Sequence, residues 1–237
     1  MITTILLSII AVLPLVVWLI FFWLRDYQKK EPAFWIILTI LLGGVSAFLA
    51  LYTQTSFHSL FPVLAEKIYS IDIFSLSIVS ILEEGFKFLV VFLIFKRNKD
   101  FDEPIDFMIY MVFSAIGFAT IENLVAVFAS NTMILEGIQI SLMRMITADL
   151  LHIIASGMIG FFWALSFAKR KVIYLHLGII IAMVYHTIYN LMLTSLQMGN
   201  LAYNLLFIIV SAIIIISLFT KVVEFKINFK KLDYETR

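Results

Sequence analysis

Seven apolar stretches in the sequence are each long enough to cross a lipid bilayer as a helix, and they leave few folds open. They run roughly over 3–24, 33–52, 72–95, 105–129, 146–168, 172–195 and 201–220. A helix needs about 20 apolar residues to cross the hydrocarbon core. Composition agrees: 62% of the residues are hydrophobic and 14% charged, where a soluble domain carries about 25% charged residues. A soluble core could not hide so much apolar surface, so the solvent is lipid. The reading is an all-α, polytopic membrane helix bundle of about seven transmembrane helices. The connections are short, so residues 1–237 form a single integral membrane domain, with 221–237 a short basic tail. Net charge is +1, and nothing points to a nucleic-acid partner. The absence of cysteine excludes a disulfide framework, a thiolate metal site and a cysteine nucleophile.

Basic residues orient the bundle. Arg25, Lys29 and Lys30 follow the first stretch, Lys96, Arg97 and Lys99 the third, and Lys169, Arg170 and Lys171 the fifth. Lys221, Lys226, Lys230, Lys231 and Arg237 occupy the tail. Under strict alternation these fourteen lie on one side and only Lys67 and Arg144 on the other. The positive-inside rule then puts the N-terminus outside and the C-terminus in the cytoplasm. No basic segment precedes the first stretch, so it reads as a retained span and not a cleaved signal peptide. The longer outer connections, 53–71 and 130–145, are either short amphipathic pieces at the interface or ordinary hydrophobic loops.

The informative residues are polar ones at membrane depth. The third stretch holds Glu83, Glu84 and Lys87, the fourth Glu122 and Asn123, the fifth Asp149 and His152, and the sixth His186 and Asn190. Left unpaired, the first three and Glu122 would cost on the order of 10 kcal/mol in lipid. They therefore face the bundle interior, pair, or neutralise. Glu83 and Lys87 stand at i,i+4 with the acid first, the favourable order for an ion pair. His186 and Asn190 are also i,i+4, and Asp149 and His152 i,i+3. At ~1.5 Å per residue, Glu83 lies about 17 Å from the outer end of its span, His186 about 14 Å, Glu122 about 10 Å and His152 about 9 Å. A shared layer in the outer half of the bilayer is more simply one site from four helices than four independent structural pairs. Asp149, Arg144 and Asn123 have a structural reading equally open to them.

A carboxylate desolvated among apolar helices suits a general base near neutral pH, and can activate a water. An imidazole and a carboxamide one turn apart can donate to a developing oxyanion. No serine sits in a G-x-S-x-G context, which disfavours a covalent mechanism. Two His with one or two Glu could instead hold zinc, the candidate ligands being His152, His186, Glu122 and Glu83. No H-E-x-x-H motif supports that directly.

As a set the motifs resemble the PrsW family. They are the E-E-x-x-K of Glu83, Glu84 and Lys87, the G-F-A-x-x-E-N from Gly117 to Asn123, His152 after Arg144, and the H-x-x-x-N of His186 and Asn190. The segments R-D-Y-Q-K-K-E-P after the first stretch and F-D-E-P-I-D before the fourth extend the similarity over nearly the whole chain. The resemblance implies a glutamic-type intramembrane protease, related to the CAAX-prenyl-endopeptidase superfamily, in the plasma membrane of a prokaryote. It implies a single-span membrane protein as substrate, such as an anti-sigma factor cut first on its external side. Two departures stand out. Lys87 comes one position earlier than the superfamily's arginine, and Glu122 takes the place of a histidine in F-x-x-x-H. On this resemblance Glu83 is the base, Glu84 and Lys87 tune it, Glu122 or His152 holds the water, and His186 and Asn190 stabilise the oxyanion. The alternative from another class is a proton-coupled transporter, which also buries Glu, Lys and His along a path. Against it, there is no inverted repeat and no polar lining in the inner half.

Overall fold

A computed structural model describes residues 2–25, 31–60, 73–98, 103–129 and 133–196, and single positions between 206 and 221. All regular structure among them is helical. The helices are α1 (Ile2–Arg25), α2 (Ala33–Leu60), α3 (Ile73–Phe95), α4 (Pro104–Ala129), α5 (Ile134–Ile146), α6 (Ala148–Lys169) and α7 (Ile173–Leu196). The chain is a polytopic helical membrane protein. By length and composition, five helical segments among the described residues can cross a membrane, with α5 and α6 making up one of them. α3 has the length, but Glu83, Glu84 and Lys87 interrupt its apolar character. The expected span over 201–220 is described only in part and is helical where it is. The expected basic tail lies, beyond Lys221, outside the described residues.

Cross-helix partners define the directions. Leu7 and Ala11 of α1 pack on Val127 of α4, and Leu15 lies near Ile116 and Ala119. Those two helices are therefore antiparallel. At one end of the bundle the Tyr110 hydroxyl of α4 donates to Glu31, just before α2, at 2.6 Å. The same oxygen accepts from Asn98, just after α3, at 2.9 Å. So α2 runs with α4 and α3 runs against both. The two segments R-D-Y-Q-K-K-E-P and F-D-E-P-I-D thus contribute Glu31 and the start of α4 to one buried polar clamp. At the far end the Tyr189 hydroxyl of α7 donates to the Thr147 carbonyl, at the α5–α6 junction, at 2.9 Å. Gly178 near the start of α7 meets Phe162 near the end of α6, so α6 and α7 are antiparallel.

α4 and α6 form the centre. From Pro104 to Ala119 every side chain of α4 is buried, and from Ala148 to Phe161 every one of α6. Close approach explains how. A Cβ on Gly117 would collide with the Ile40 carbonyl of α2, and one on Gly43 with the Ser114 carbonyl of α4. Gly160 of α6 sits likewise on the backbone at Met108. In lipid, association depends on packing, and small residues let two backbones touch.

Two stretches differ from the simplest expectation. α2 continues to Leu60, past the expected end of its span at residue 52. The hydroxyls of Thr53, Thr55 and Ser59 donate back to carbonyls three or four residues earlier, so these polar side chains are satisfied within the helix. Within 130–145, residues from Ile134 onward are a helix, α5. Its Ser141 hydroxyl donates to the Ile10 carbonyl of α1 at 2.7 Å, while Leu135, Leu142 and Met143 stay exposed.

Candidate active site

The buried groups of α3 start the site. Lys87 is fully enclosed, and its ammonium donates to Glu84 Oε1 at 2.5 Å and to His152 Nδ1 at 2.9 Å. The expected i,i+4 pair with Glu83 does not form: lysine turns into the bundle toward α6, and the carboxylate in its reach is Glu84. Phe118 of α4 lies 4.6 Å beneath the ammonium and adds a cation–π contact. Glu84 also accepts from Ser156 of α6 at Oε2, 3.0 Å, and contacts His186 Nδ1 of α7 at Oε1, 2.8 Å. One carboxylate therefore receives three side chains from three helices.

These contacts fix the imidazoles. An ammonium only donates, so His152 Nδ1 accepts and its proton sits on Nε2. That N–H points to Glu122 Oε2 of α4 at 2.9 Å. His186 gives its Nδ1–H to Glu84, and its Nε2 faces Glu83 Oε2 at 3.5 Å, as an acceptor in the neutral ring and a donor in the imidazolium. Gln54 of α2 lies beside Glu83. The two histidine rings meet edge to face at 5.1 Å.

Outward from Glu122 the network continues. Arg144 of α5 donates through Nη2 to Glu122 Oε2 at 3.0 Å and through Nε to Asn123 Oδ1 at 2.5 Å. Asn123 donates to Asp149 Oδ2 at 3.1 Å. A continuous polar chain thus runs from Asp149 through Asn123, Arg144, Glu122, His152, Lys87, Glu84 and His186 to Glu83. Its Arg144 and Glu122 side chains are 23% and 25% exposed, while Lys87 and Glu84 are sealed. The site opens at the Arg144–Glu122 rim.

Six of the residues singled out in the sequence, Glu83, Glu84, Lys87, Glu122, His152 and His186, belong to this cluster. Asn190 is half-buried one turn beyond His186, with no hydrogen bond to the cluster among the described residues. Gln54 and Ser156 join it unannounced. Ser156 stands one turn after His152, the same i,i+4 stripe that marks the other pairs, so its position was readable. Gln54 was not, because it follows the apolar stretch of α2.

A metal can be accommodated here. Ligand atoms of Glu83, His152 and His186 lie within 4.8 Å of one another. Two ligands bound to zinc at ~2.0–2.1 Å in tetrahedral geometry stand about 3.4 Å apart, close to the 3.5 Å between Glu83 Oε2 and His186 Nε2. With a neutral ring, that contact is repulsive unless a cation or a proton donor lies between; with an imidazolium it is an ion pair. The Nδ1–H of His186 on a carboxylate is the usual outer-shell support for a metal-bound imidazole. His152 fits as third ligand only by exchanging its Glu122 or Lys87 contact for the metal.

The helical membrane fold and its buried carboxylate–imidazole–ammonium centre have the features of an intramembrane hydrolase. The family model described as "PrsW family intramembrane metalloprotease" matches residues 31–218, and the chain belongs to that family. It is a peptidase and a multi-pass protein of the prokaryotic plasma membrane, and its substrates are membrane proteins. Curated relatives agree. The chain is 25% identical to Protease PrsW of Clostridioides difficile (strain 630), with 96% of this chain and 90% of that one aligned. It is 26% identical to Protease PrsW of Geobacillus kaustophilus (strain HTA426), over 78% of both chains. It is also 26% identical to Protease PrsW of Bacillus subtilis (strain 168), over 79% of this chain and 82% of that one. No solved structure matches the chain. Membership favours the peptidase over the carrier.

Proposed function

We propose that this peptidase makes the first, external-side cut in a single-span anti-sigma factor, with Glu83 as general base. The observation that carries the reading is the Glu83 carboxylate facing His186 Nε2 at 3.5 Å, in a centre otherwise locked by hydrogen bonds. A water held there loses its proton to Glu83 while its oxygen attacks the scissile carbonyl carbon. The same proton then passes to the leaving amide nitrogen as the C–N bond breaks. Glu84 and Lys87 hold His186 and His152 in their tautomers. His152 and Glu122 together, and not one instead of the other, bound the water on its second side. Asn190, one turn along α7 from His186, serves the oxyanion. A zinc ion, where bound, would be held by Glu83 and His186, with His152 once it leaves its Lys87 or Glu122 contact, and would then supply the activation of the water in place of Glu83 acting as free base.

The test uses purified protein in detergent with a single-span anti-sigma-type peptide. Glu83→Gln should lower cleavage by about a thousandfold or more, a loss of roughly 4 kcal/mol of transition-state stabilisation, with its thermal unfolding near that of the wild type. Cleavage by Glu83→Gln at the wild-type rate sinks the assignment. A chelator should abolish cleavage and added zinc restore it. Activity that persists after chelation, with no zinc in the protein, removes the metal from the reading.

A further inference from the structure

Arg144 is only half accounted for by the cluster. A guanidinium carries five N–H donors. One goes to Glu122 and one to Asn123, and the remaining three have no acceptor among the described residues. The group is held from behind, because Asn123 is itself anchored on Asp149. It also sits at the open rim, 23% exposed, beside the equally accessible Glu122. A rigid, partly used donor array at the mouth of a buried site is built to receive something.

Its charge narrows what that is. Glu122 already compensates the guanidinium, so the spare N–H groups favour a neutral acceptor over a second carboxylate. A peptidase that cuts inside or beside a membrane creates such acceptors. A spanning segment is helical because lipid offers no other partner for its backbone. The bond to be cut must leave the helix, and each unwound turn exposes carbonyls without donors. We propose that Arg144 binds the substrate main chain: its three spare N–H groups take carbonyl oxygens of the unwound segment flanking the scissile bond. This deepens the peptidase reading above and rests on it. It also gives α5 a purpose, since this short helix delivers Arg144 to the rim.

The experiment measures the affinity of a fluorescent synthetic single-span peptide, with glycine and proline in its outer third, for the Glu83→Gln protein in detergent. Arg144→Lys keeps the charge against Glu122 but loses the planar fork. It should weaken binding by about tenfold or more. Arg144→Gln combined with Glu122→Gln removes both charges and should weaken it as much. If Arg144 only neutralises Glu122, that double variant binds like the parent, and this result overturns the proposal. Parent-like binding by Arg144→Lys overturns it equally. In otherwise wild-type protein, Arg144→Lys should raise KM with kcat within about threefold. A fall in kcat at constant KM would make Arg144 a prop for Glu122 and His152 instead. Wild-type protein that binds the peptide but never cuts it refutes the peptidase reading of this site, while the binding data still judge Arg144.

Discussion

Lys87 shows how much one side chain can organise. Its ammonium is sealed from solvent and lipid, yet it touches Glu84, His152 and the face of Phe118. It compensates a buried carboxylate and selects the His152 tautomer that points an N–H at Glu122. Removing one partner of a buried ion pair costs about 3–5 kcal/mol, because the other charge is left uncompensated. Lys87→Met should therefore lower thermal stability in detergent and abolish cleavage together. Ser156→Ala is the gentler probe. It deletes a single hydrogen bond to Glu84 Oε2 and should cost roughly 1.5–3 kcal/mol, the range for a bond to a charged group. Turnover should fall by about tenfold, corresponding to ~1.4 kcal/mol, and Ser156→Thr should recover most of it. A silent Ser156→Ala would mean that Glu84 does not need its second oxygen held.

Among the elements, the α2–α4 crossing positions the site. Gly43 and Gly117 let each backbone touch the other. Gly117→Val should be strongly destabilising, because a side chain there meets a rigid carbonyl and not a flexible neighbour. The check is the unfolding temperature. Gly85 of α3 is the control: a Cβ there meets nothing within 4 Å, so Gly85→Ala should be neutral or slightly stabilising. The α5–α6 break is a second such joint. Tyr189→Phe leaves the Thr147 carbonyl without its donor and should cost about 1–3 kcal/mol. Its effect on peptide affinity would exceed its effect on turnover if the break aims Arg144.

For the whole molecule, alternating helix directions put the active cluster toward one face and the Glu31–Asn98–Tyr110 clamp toward the other. The basic-residue distribution predicts that the cluster lies toward the outside. Because the chain has no cysteine, single-cysteine reporters can test this without background. Cysteine in place of exposed Leu135 should label with an impermeant thiol reagent from outside intact cells. Cysteine at Lys96 or Arg170 should label only after the membrane is opened. The reverse pattern would place the cut on the cytoplasmic side.

Hydrophobic run length and the cost of charge in lipid were enough to identify a helical membrane bundle and to single out Glu83, Glu84, Lys87, Glu122, His152 and His186. Both are properties of short windows, legible in sequence because each helix must satisfy its own backbone and hide its own charges. Helical spacing could say which residues share a stripe but not which way a stripe turns. That is why Lys87 pairs with Glu84 and not Glu83. Gln54 lay beyond the apolar run and Arg144 in what read as a loop or an interfacial piece, so neither could be joined to the centre. Their place depends on an extended α2 and on where α5 docks against α1. What made the residues anomalous was local and written along the chain. Which of them meet, and which atoms they present, depends on packing between helices distant in sequence, and tertiary structure alone decides it.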